Sequence, residues 1–123
     1  MLSDVHNDMT KPEQRWRPIA LMPAFKYAIS SAAEASRVQA ENMRAAMEQA
    51  AAINRFELTR MLLVYEETAQ HVEMCREQLR RWRSEHMTPE QAAALDQLDA
   101  MVEQWASDTE AVIDAVSTFL HRK

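Results

Sequence analysis

The chain has 123 residues, 47% apolar and 27% charged, with a formal net charge of −5, four prolines, one cysteine and no glycine. Average usage of about 7% would give roughly eight or nine glycines, and their absence excludes phosphate loops, dinucleotide-binding turns and nucleophile elbows, where backbone turns sharply or approaches a ligand. A lone cysteine makes no intrachain disulfide and points to a reducing, cytoplasmic setting, no window approaches the ~18 apolar residues of a membrane span, and a negative total disfavours nucleic acid as partner.

Met1 to Thr10 is polar and acidic, unlike a secretory signal or transit peptide. Pro12, Pro18 and Pro23 each lack a backbone donor and restrict the preceding residue, which predicts an irregular arm over residues 1–23. Trp16, Ile19, Leu21 and Met22 are too apolar for a free tail, so from Trp16 onward the arm is expected to pack on the body or on a partner. Arg15-Trp16-Arg17 sets an aromatic face between guanidinium groups, an arrangement suited to stacking and to anionic partners. Arg15, Trp16, Arg17 and Ile19 are therefore candidate partner-binding residues.

Residues 24–123 read as one helical domain. From Ala24 to about Glu85 the chain is rich in strong helix formers, with helices expected over about 24–53 and 56–85. Glu34, Glu41 and Glu48 repeat every seven residues, and Arg37 and Arg44 each stand three after a glutamate, as neighbours on a helix surface. Ile29, Ala33, Ser36, Ala40, Met43, Met47 and Ala50 form a seam of small residues and methionine. A second seam, Leu58, Met61, Tyr65, Thr68, Val72, Cys75, Leu79 and Trp82, follows in a different register. The phase slips near Asn54 to Glu57, as a stutter in one helix or a break between two. A continuous helix of about 60 residues would be roughly 90 Å long, more than a monomer of this size can cover.

Phe56, Leu58, Met61, Leu62, Leu63, Val64 and Tyr65 place apolar side chains around the whole circumference. A helix apolar on all sides is buried on all sides, and 123 residues supply too few helices to cover it alone. These seven are candidate association residues, and a homodimer is predicted.

The last helix is expected over 89–121. Thr88-Pro89-Glu90-Gln91 combines a capping hydroxyl, a proline at the first helical position and a glutamine three after the cap. Leu95, Leu98, Val102, Trp105, Thr109, Val112, Val116 and Phe119 mark its core stripe. The short link makes it an antiparallel neighbour of the preceding helix. Residues 1–87 are charge-balanced, so the whole net charge lies in 88–123, and no basic residue occurs between Glu90 and Asp114. Arg76 to Arg83, with four arginines and one glutamate, should pair with the acidic start of this helix. Asp96, Asp99, Glu103, Asp108 and Glu110 are candidate contacts for a basic partner.

Two constellations bear on chemistry. Glu67, His71 and Cys75 are four apart and offer zinc-type ligands, but Cys75 falls on a core position, and no metal site is assigned. Arg80 or Arg81 followed by His86 resembles the signature of HEPN-type helical ribonucleases, which implies Arg81 and His86 acting on an RNA phosphate and 2′-hydroxyl. Trp82 stands where that family has a polar residue. The alanine-rich stretch Ala32 to Ala52 resembles phasins, the helical coats of polyester granules, in composition. The fold expected is an all-α antiparallel bundle or coiled-coil hairpin completed by dimerisation. The function expected is a non-catalytic protein interaction module, without cofactor, binding another protein; ribonuclease and surface coat are the alternatives.

Overall fold

A computed structural model describes residues 16–49 and 52–122, and the part of the arm before Trp16, Arg15 included, lies outside them. Among the described residues there are three long helices and no strand: α1 over Met22–Glu48, α2 over Arg55–Arg83 and α3 over Pro89–His121. A 3-10 turn, Ile19–Leu21, leads into α1.

The boundaries follow from local chemistry. α1 begins at Met22 rather than after Pro23, because proline in the first turn forfeits only an N–H that would have no intrahelical acceptor. It ends at Glu48, about a turn earlier than the propensity of the following alanines suggests. The register slip is therefore a break, and Asn54 makes it. Asn54 does not close α1 as a left-handed residue. With φ −59° and ψ 130° it caps α2, and its Oδ1 accepts from the backbone N–H groups of Phe56 at 2.7 Å and Glu57 at 3.3 Å. α3 opens with a reciprocal capping box: Gln91 N–H donates to Thr88 Oγ1 at 3.1 Å, and Thr88 N–H donates to Gln91 Oε1 at 3.0 Å.

α1 and α2 both pack along α3, which is the central element. Lys26 Nζ donates to Gln97 and Ser30 Oγ contacts Met101, so α1 and α3 run the same way. Arg83 pairs with Asp96 and Arg55 donates to the Leu120 carbonyl, so α2 runs against α3. All eight stripe residues of α3 are buried. All of them but Thr109 join two apolar clusters, one around Val72, Trp82, Leu95, Leu98 and Val102, the other around Met43, Leu58, Val112, Val116 and Phe119. Each such side chain contributes about 1.5–3 kcal/mol on burial. Between the clusters lies a polar layer, where the buried Thr109 hydroxyl donates to Ser36 Oγ at 3.4 Å. Tyr65 stands at the same level; desolvation raises its phenol pKa, and a hydrogen bond with Ser36 opposes the shift.

Candidate functional site

Trp16 and Arg17 meet the end of α2, where Trp82 stands among Arg80, Arg81 and Arg83. At the end of α2, Gln78 and Trp82 lie one turn apart and are both buried. Together they hold the backbone of Arg17: its N–H donates to Gln78 Oε1 at 2.7 Å, while its carbonyl accepts from Trp82 Nε1 at 2.9 Å and from Gln78 Nε2 at 3.4 Å. Polar groups that α2 would otherwise bury without partners are thus satisfied by the arm. The Arg81 guanidinium lies over the Trp16 ring, 4.3 Å from its centroid, a cation–π contact worth about 0.5–1 kcal/mol at an exposed site. Glu77 pairs with both Arg80 and Arg81, and this hydrogen bonding holds its carboxyl below the usual range. Ile19 packs on the first cluster, and Phe25 meets the Trp82 ring edge-on at 5.1 Å. Trp16 and Ile19 are therefore engaged within the chain, whereas the Arg17 side chain is exposed. Gln78 was not singled out in the sequence. Its signal was a glutamine between Cys75, Leu79 and Trp82 on the buried stripe.

The five acidic candidates of α3 divide. Glu103 receives a two-pronged contact from Arg76, Nε to Oε2 at 2.9 Å and Nη2 to Oε1 at 2.8 Å, which holds the Glu103 carboxyl low. Arg83 pairs with Asp96 at 2.9 Å and also with Asp99. These are the contacts expected between the arginine-rich end of α2 and the acidic start of α3. They leave three of the five carboxylates engaged by the chain's own cations. Among the described residues, Asp108 accepts from Gln104 alone, at 3.3 Å, and Glu110 is exposed with no ion-pair partner.

The apolar run of α2 also divides. Leu58 is 2% exposed and belongs to the core, so it is no part of an association surface. Met61, Leu62 and Tyr65 pack against the second cluster, whereas Phe56, Leu63 and Val64 are 69%, 63% and 55% exposed. The helical period of 3.6 separates the two sets onto opposite sides of α2.

The zinc-type ligands do not assemble a site. Cys75 is buried, and desolvation pushes its thiol up to about 11, while Glu67 and His71 are exposed. Among the described residues no group of three or more His, Cys, Asp or Glu is placed to hold a metal ion. Arg81 is occupied by Trp16 and Glu77, and His86 is exposed in the link between α2 and α3. Ala40 is buried, and Ala32 and Ala33 pack on the core. No described helix is long and apolar enough to cross a membrane. Compared with protein-family models, curated proteins and solved structures, the chain has no significant match.

Proposed function

We propose that the protein is a non-catalytic interaction module of the cytoplasm that uses no cofactor, self-associates through the outer side of α2 and binds a basic protein partner with α3. The observation that carries this reading is the exposure of Phe56 and Leu63, at 69% and 63%, on a helix whose opposite side is already packed in the core. Large apolar side chains clustered on the surface of a small bundle mark an interaction face. The hairpin of α2 and α3 is the frame. Of the carboxylates left over from its internal pairing, Glu110 and Asp114 lie one turn apart and are both exposed, an acidic strip that suits a cationic partner, whereas Asp108 lies on the α1 side of α3. The docked arm adds the exposed Arg17 at one end.

Affinity capture from the native host, comparing the wild type with the Glu110→Lys, Asp114→Lys double variant, tests the assignment to α3. The variant keeps its helicity because neither residue is buried. It is expected to lose at least roughly tenfold of the captured partner, since each reversal replaces attraction by repulsion. Equal recovery from both proteins overturns the assignment.

A further inference from the structure

We propose that the second copy docks antiparallel, α2 against α2, about a two-fold axis that passes between Leu63 and Val64. This rests on the self-association proposed above and adds its geometry. The outer side of α2 carries Phe56, Arg60, Leu63, Val64, Glu67 and His71, all exposed and recurring at helical spacing. Around an axis at the middle of this stripe, Leu63 of one copy lies against Val64 of the other, Arg60 against Glu67, and Phe56 against His71. The two-fold repeats each pair, so every apolar group meets an apolar or aromatic one and both charges meet their opposites.

The charges decide the direction. The other arginines of α2 have partners within the chain: Arg55 donates to the Leu120 carbonyl, and Arg76, Arg80, Arg81 and Arg83 pair with carboxylates. Arg60 alone has none among the described residues, and Glu67, which stands three residues after Val64 as Arg60 stands three before Leu63, has none either. Parallel docking would set Arg60 against Arg60 and Glu67 against Glu67, which is repulsive; antiparallel docking makes two ion pairs from the same four side chains. The stripe from Phe56 to His71 extends about 22 Å at 1.5 Å per residue, so the contact is a single-helix interface, and its dimer should dissociate on dilution.

Sedimentation equilibrium across a concentration series tests the geometry, with circular dichroism confirming that each variant is folded. The wild type is expected to be a reversible dimer. Arg60→Glu and Glu67→Arg should each weaken it by roughly tenfold or more, because the axis counts every substitution twice. The double variant should restore the dimer, and an equimolar mixture of the two single variants should form a heterodimer. A wild type that stays monomeric at every concentration overturns the self-association itself. A wild-type dimer that the single variants leave intact, or that the double variant fails to restore, overturns the antiparallel arrangement alone.

Discussion

Gln78 both donates to and accepts from the backbone of one residue, Arg17, and Trp82 adds a second donor to the same carbonyl. Replacing Gln78 by leucine would fill its space yet leave the Arg17 N–H without an acceptor. The expected cost is about 1–2 kcal/mol in urea unfolding. Exchange of the Arg17 amide should accelerate while that of Val102 in α3 is unchanged; equal exchange in variant and wild type would contradict the clamp. Trp82 was legible as a core residue because it continues the spacing of Val72, Cys75 and Leu79. Gln78 was not, since one polar residue on a helix reads as solvated until a neighbouring segment supplies its partners. Leu58 carried two readings at once, first residue of a core stripe and member of an exposed run, and packing resolves it in favour of the core.

The core stripe of α3 could be read almost completely, because its alternation continues for four heptads behind a capping box whose two hydrogen bonds are both made. Ala115 is the buried residue that the strict alternation skipped. The join of α1 and α2 was visible only as a change of phase. Alanine-rich sequence favours helix on either side, so propensity does not distinguish a stutter from a break. The break is made by packing, since α1 and α2 must both return along α3, and Asn54 supplies the cap that the new start requires. Asn54→Ala removes the acceptor for the Phe56 and Glu57 N–H groups and should cost about 1 kcal/mol. Thermal unfolding checks this, and an unchanged midpoint would contradict the capping role.

For the molecule as a whole, the net charge of −5 conceals two different uses of the acidic residues of α3. Asp96, Asp99 and Glu103 hold α2 in place through Arg83 and Arg76, while Asp108 and Glu110 remain outside those pairs. The excess of opposite charge on the two segments was evident from the sequence, which is why their pairing could be anticipated. Spacing along one helix does not say which of its carboxylates faces the neighbour, so from the sequence all five read alike as contacts for an external partner. The same limit applies to α2, where a run apolar on all sides resolves into a core face and an outer face only once α3 is in position. The outer face is where the protein is expected to act. Methyl spectra recorded across a dilution series report on it residue by residue: signals of Leu63 and Val64 should move with concentration while those of Leu95, Leu98 and Val102 stay fixed. Signals of the α2 face that do not move at any concentration would contradict association through α2.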